Sequence, residues 1–421
     1  MASSSTRLFG VLSPWRRWAA VPMVVAVLAL ASVGSAAAAG GATKTAAPRV
    51  IATIGVGDGD AALALNPRNG TVYVASNGSK TVSVINGRTN KVVSTIHIGE
   101  RSGLAPRWLA LSPKTGDLYI TNDPGNQHAD GTVTVLSGRT SRLIATVGVG
   151  HDPGQGVVSP VTGDVYVASQ GPTGAGTVTV FSGQTGRAIA TVGVGHHPYQ
   201  MAVSPQTGEV YVPNQSDGTV SVISGQTNKV TATIAIDPRN SNPTNDFDPY
   251  EVAVSPVTGE VYIVSIGYHT GNMETVLAGK DHKVIATLAN GGYGTGAIVI
   301  SPLTGVVYVA DDVENTETVI SGQTNELTNF IHLAAGSGVD TGAISPLTGD
   351  LYAPGNIKHE NSYVSSVWVV SGQTDKITAA LRLRGESPGQ VAVSPVTGDA
   401  YIVDSSYVSS GTPATVSVVS G

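Results

Sequence analysis

One stretch recurs eight times and leaves the chain few folds to choose from. Ser255-Pro-Val-Thr-Gly-Glu-Val-Tyr-Ile263 reads as a strand end, a tight turn and the start of the next strand. Its copies centre on Gly70, Gly116, Gly163, Gly208, Gly259, Gly305, Gly349 and Gly398, separated by 46, 47, 45, 51, 46, 44 and 49 residues. A fixed period of this size across nearly the whole chain signals stacked supersecondary units. Each period holds four strand-like pieces, a to d. In the fourth copy they are Met201-Ala-Val203, Glu209-Val-Tyr-Val212, Thr219-Val-Ser-Val-Ile223 and Lys229-Val-Thr-Ala-Thr-Ile234. Their alternation of Val, Ile, Thr and Tyr with polar residues is the period-two signature of strands.

The turns have their own chemistry. In the a–b turn Pro presets one dihedral and Gly supplies a positive φ. The c–d turn, Ser224 to Lys229 in the fourth copy, carries at its fifth position Asn90, Ser141, Gly186, Asn228, His282, Asn325 and Asp375 in successive copies. Most of these types tolerate a left-handed backbone, so His282 has a structural task rather than a ligand's. With 52 Gly, 23 Pro and 12% charged residues, the composition suits short strands and turns.

A four-stranded sheet of this size cannot bury both faces alone. Radial stacking buries them and predicts an all-β, eight-bladed β-propeller of four-stranded antiparallel blades over residues 49–421. The chain opens with a lone d strand, Arg49-Val-Ile-Ala-Thr-Ile54, and closes with a lone a–b–c ending in Thr415-Val-Ser-Val-Val419. Pairing the two ends completes the last blade. Seven blades would require one copy to be expelled.

These residues resemble the YVTN-repeat β-propeller family, the YncE-like secreted propellers. Tyr119-Ile-Thr-Asn122 nearly spells the motif, and other copies keep Tyr-Val or Tyr-Ile with Ser76, Ser169, Asn214, Ser265, Asp311 or Asp404 at the end. Gly355 is the exception, and the a–b turn reads Ser-Pro-x-Thr-Gly where the family often has Ser-Pro-Asp-Gly. The resemblance implies a scaffold with varied roles and supplies no catalytic residue.

The first 39 residues read as a secretory leader: basic Arg16-Arg17, apolar Ala19 to Val33, then small residues with cleavage near Ala37 to Ala39. Gly40 to Pro48 reads as a linker, and a secreted or cell-envelope location follows, with no transmembrane segment in the mature chain. Net charge is −6, and removing Arg7, Arg16 and Arg17 makes the mature chain three charges more negative. That balance argues against nucleic-acid binding and shows no polybasic membrane patch. The chain has no cysteine, which excludes disulfides, thiolate catalysis and Cys-ligated metals. Phosphate-cradling loops and dinucleotide fingerprints do not occur. Quinone-cofactor propellers carry Trp-rich repeats, whereas this mature chain has Trp108 and Trp368 alone.

Strand polarity puts the uniform a–b and c–d turns on one face and the variable d–a and b–c loops on the other. Sites on repeat folds sit where repeats stop matching, so the variable face is the expected binding face. The residues opening strand a, among them Trp108, Gln155, Gln200, Glu251 and Gln390, are expected to ring the channel mouth there. Tyr199 and Tyr250 are candidates for stacking on a sugar or peptide. His151, Asp152, His197 and Asp248, from three neighbouring d–a loops, are candidates for a divalent metal or for proton transfer. The leading reading is a monomeric binding scaffold for a protein, peptide or glycan, with no cofactor required. The alternative is a hydrolase, lactonase or lyase using the His/Asp patch.

Overall fold

The computed structural model describes residues 47–59, 61–98, 104–125, 129–171, 174–198, 200–236, 247–267, 271–289, 297–311, 313–333, 336–339, 342–359, 362–406 and 413–421. The expected leader, most of the linker and Tyr199 lie outside them. The described chain is strands and turns, with a short 3-10 turn at Gln215–Asp217.

Each repeat forms an antiparallel meander in the order a-b-c-d. In the first, Ala61–Leu65, Thr71–Ser76, Thr81–Asn86 and Lys91–His97 pair in sequence. Meanders beginning at Ala105 and Gly156 share one sheet through a single pair, Gln170 opposite His151. The final meander is built from both ends of the chain. Ser387–Val393, Ala400–Ser405 and Thr415–Ser420 are completed by Arg49–Gly55, with Arg49 opposite Ser420 and Gly55 opposite Thr415.

The alternation along b and c strands buries one residue set against the preceding unit and the other against the following one. Ile54, Leu63, Val74, Ile85, Tyr401 and Val416 thus form one apolar cluster joining the last meander to the first. Similar clusters join the other neighbours, for example Val178, Val192, Met201 and Val212 between the third and fourth. A closed ring of this kind leaves the d strands as outer edges.

A second set of contacts fastens the turn face. Tyr73, Tyr119, Tyr166, Tyr211, Tyr262, Tyr308, Tyr352 and Tyr401 occupy one position of strand b and are all buried. Five of these rings reach the left-handed residue of the next c–d turn. Tyr166 donates to Asn228 Oδ1 at 3.2 Å, Tyr262 to Asn325 Oδ1 at 2.6 Å and Tyr308 to Asp375 Oδ1 at 2.9 Å. Tyr211 meets His282 edge to face at 5.8 Å, and His282 Nε2 lies 3.4 Å from Glu209 Oε2, the structural place expected of that histidine. Tyr401 crosses the ring junction to donate to the Gly87 carbonyl at 3.0 Å, with Asn90 Oδ1 at 3.2 Å. All seven fifth-position residues have positive φ, as do all eight a–b turn glycines.

Candidate functional site

The b strand ends where the variable face begins, and its last residue holds the loops there. Asn122 donates through Nδ2 to Thr132 Oγ1 at 3.1 Å and Thr134 Oγ1 at 2.9 Å. Asn214 makes the same pair of contacts with Thr219 and Ser221, and its Oδ1 accepts from Gly195 N at 3.0 Å. Asp404 instead accepts from Gly385 N at 2.7 Å and Ser365 Oγ at 2.8 Å. These side chains satisfy backbone groups that the strand ends leave open.

Strand a enters from this face through a recurring Pro-x step: Pro106-Arg107-Trp108, Pro153-Gly154-Gln155, Pro249-Tyr250-Glu251 and Pro388-Gly389-Gln390. In three of them the register slips. Pro106 lies opposite Asn122 but Trp108 opposite Thr121, Pro249 opposite Ser265 but Glu251 opposite Val264, and Pro388 opposite Asp404 but Val391 opposite Ile402. An extra residue in one strand is a β-bulge, and it re-aims the side chains beside it. The residue after each bulge is turned into the protein. Trp108, Glu251 and Gln390 are therefore buried, Gln155 and Gln200 are buried as well, all at 7% exposure or less, and the five are not the open rim that sequence position suggests. Gln390 shows what such a residue does: its Oε1 accepts a hydrogen bond from Leu63 N in the neighbouring meander. Gln155, Gln200 and Glu251 are likewise engaged. Gln390 is thus a staple between inner strands of neighbouring meanders.

The bulge residue itself faces out. Arg107 sits at the junction of the second and third meanders, where its Nη1 lies 2.5 Å from Asp123 Oδ2 and 3.1 Å from Asp152 Oδ1. Gln170 Nε2 donates to the other oxygen of Asp152 at 3.3 Å. Burial pushes the Asp152 carboxyl above the usual carboxylate range; Arg107 opposes that, Asp123 reinforces it, and the nearby His197 charge opposes it again. His197 continues the patch into the fourth meander, with Nδ1 2.7 Å from Ser216 Oγ. Asp152 and His197 hold equivalent places before proline and share a positive φ, 42° and 50°. Non-glycine residues held there store local strain, a common mark of functional loops. Beside them, His196 is gripped by Asp217, which accepts from its backbone N at 2.8 Å and meets its Nδ1 at 2.9 Å.

Asp152 and His197 are thus brought into one patch, whereas His151 and Asp248 are engaged elsewhere. His151 Nδ1 faces Asp130 Oδ1 at 3.4 Å, and Asp248 lies in strand Phe247–Val254 opposite Ile266. The four do not form a metal-ligand set: among the described residues no group of three or more His, Asp or Glu is placed to hold a metal ion. Tyr250, the bulge residue of the fifth meander, is half-buried and engaged. Arg107, Asp123, Gln170, Ser216 and Asp217 complete the patch without having been singled out in the sequence. The Pro-x-Trp/Gln/Glu step was the readable signal for Arg107. What gathers here is a half-buried guanidinium between two carboxylates, a primary amide, two imidazoles and a hydroxyl. That set hydrogen-bonds to polar ligands in both senses.

No family model matches the chain. In Kuenenia stuttgartiensis hydrazine synthase, a solved chain superposes with a TM-score of 0.55 at 15% identity, covering 78% of this chain and 96% of that one. The chain is a β-propeller. A seven-bladed β-propeller protein of Mycobacterium tuberculosis is 35% identical to it over 123 residues, 28% of this chain. The match spans 29% of that relative's length. On the propeller described here, the turn face is nearly uniform from blade to blade, and the Arg107 patch lies on the opposite, variable face. Among the described residues no helix is long and apolar enough to cross a membrane.

Proposed function

We propose that this protein is an exported, eight-bladed propeller of the YVTN-repeat type that binds a peptide, protein or glycan through its variable face. Support for eight blades comes from eight a–b turns and from the last meander being completed by the first strand. Support for binding rests on one observation: Arg107, Asp123, Asp152, Gln170 and His197, from three successive repeats, converge on one half-buried patch. A half-buried guanidinium is a charge-assisted donor that can pair with a ligand's carboxylate or carbonyl groups.

Screening the protein on peptide and glycan arrays beside Arg107→Ala and Asp152→Asn tests this. Each truncation is expected to weaken the selected ligand about ten-fold or more, the loss of a charge-assisted hydrogen bond. Ligands bound equally by all three proteins would contradict the assignment.

The second reading, a hydrolase, lactonase or lyase, has one contact in its favour, Ser216 Oγ at 2.7 Å from His197 Nδ1. A serine hydrogen-bonded to an imidazole is the core of an activated nucleophile. Ester or lactone turnover lost in both Ser216→Ala and His197→Ala would establish it.

A further inference from the structure

The opposite face carries a feature that binding at the variable face leaves unused. Exposed apolar and exposed basic residues both collect at the turn end of the ring. The tips of the a–b turns present Val161, Val257, Leu303, Leu347 and Val396, exposed by 44% to 63%. Four of these tips belong to consecutive repeats, and the first three lie over the next one's turn: a Cβ on Gly305 would meet Val257, on Gly349 Leu303, and on Gly398 Leu347, at 3.5 to 3.6 Å. The result is a continuous apolar arc. Every other exposed large hydrophobic, save Val313, Phe330 and Tyr363, belongs to the turn-proximal start of a d strand, such as Val93, Leu143 and Ile285.

The other half of the same face is basic. The equivalent tips are Arg68 and Lys114, and the adjoining c–d turns expose Arg88, Lys91, Arg139 and Arg142. Of the acids on this face, Asp281 and Glu326 are exposed, both in c–d turns of the apolar half, while three others are turned inward. Asp117, Asp164 and Asp350 each accept a backbone hydrogen bond, from Gly138, Gly183 and Gly372, at 2.9 to 3.1 Å. Thus a protein of net charge −6 still shows solvent a cationic sector around Arg68, Arg88, Arg139 and Arg142, which a whole-chain count hides. The tips share one level, because the c–d turns pack against their own a–b turns, as in Gly87 N to Gly70 O at 3.1 Å and the close approach of Gly225 to Gly208. The chain ahead of Arg49 also departs from this face, since Arg49–Gly55 runs from the turn end toward the variable end.

We propose that the turn face docks on an anionic lipid bilayer, with Val257, Leu303, Leu347 and Val396 entering the headgroup layer and the Arg68–Arg142 sector lying against lipid phosphates. Shallow apolar contact plus cationic attraction is the general recipe for interfacial binding. Docked this way, the Arg107 patch faces away from the membrane, toward solution.

Flotation of the full chain with phosphatidylcholine vesicles, with and without phosphatidylglycerol, tests the proposal. The protein is expected to float with the anionic vesicles and to be released by high salt. Arg68→Glu/Arg88→Glu/Arg139→Glu is expected to lower partitioning at least about ten-fold, from roughly 1 kcal/mol per basic residue near such a surface. Leu303→Ser/Leu347→Ser/Val396→Ser is expected to lower it independently, and both sets of exposed tips should leave the melting temperature in place. Flotation that ignores lipid charge and both variant sets would overturn the proposal and assign attachment to the apolar N-terminal run. So would no flotation at all, or a dimer that the serine variants dissolve, which would make the face a protein interface.

Discussion

Glu317 stands in the middle of a c strand with Ala310 on one side and Ile331 on the other, and it is buried. Burial pushes its carboxyl up to about 8. Glu274, one meander earlier, is pushed to about 8 by burial and, less, by the charge of Asp311. Both groups hold their proton in the folded protein at neutral pH and lose it when unfolded. A folded pKa raised above the unfolded value gives stability that is complete below about 4.5 and is lost as pH rises toward about 8. The protein is therefore expected to melt lower at pH 9 than at pH 5, and Glu317→Gln, which carries no proton to lose, to flatten that slope and melt above the wild type at pH 9. Thermal melts across pH read this directly; parallel slopes for both proteins would show that Glu317 does not titrate with unfolding.

Among the elements, the paired turns bear the closest packing. A Cβ on Gly138 would lie 1.8 Å from the carbonyl oxygen of Gly116, whose own φ is +77°. Gly138→Ala must push the two turns apart, at a cost of about 1–3 kcal/mol by analogy with overpacked cores, measurable as a lowered denaturation midpoint with unchanged slope. A cost near zero would mean the turns are not in contact. This part of the fold was legible in advance, because left-handed backbone at Asn228, His282 or Gly259 is encoded by residue type within a few positions. The inner strands were not. Period-two alternation assigns Trp108 and Glu251 to a face only if the register is unbroken, and a one-residue bulge after proline turns the rim into interior. Nor could spacing reveal that Arg107 meets Asp152, 45 residues on. That pairing exists only after two meanders have stacked. Spacing hid the placement of the histidines and aspartates too: His151 and Asp248 lie in loops of the same kind as Asp152 and His197, yet their strands carry them to other neighbours.

At the scale of the whole molecule, the ring divides labour between its faces. Tyr–turn latches, turn glycines and the strand Arg49–Gly55 close and stiffen one side; loops of unequal length, seeded by Asn122, Asn214 and Asp404, decorate the other. Uniform repeats hold position, and the departures from uniformity between the second and fourth repeats supply chemistry. The most direct measurement is hydrogen–deuterium exchange of the protein with and without an array-selected ligand. Binding at the Arg107 patch predicts slowed exchange in the segments around Pro106–Trp108, His151–Gln155 and His196–Asp217, with the turn-face segments unchanged. Protection confined to the a–b and c–d turns, with those segments exchanging as before, would contradict a variable-face site.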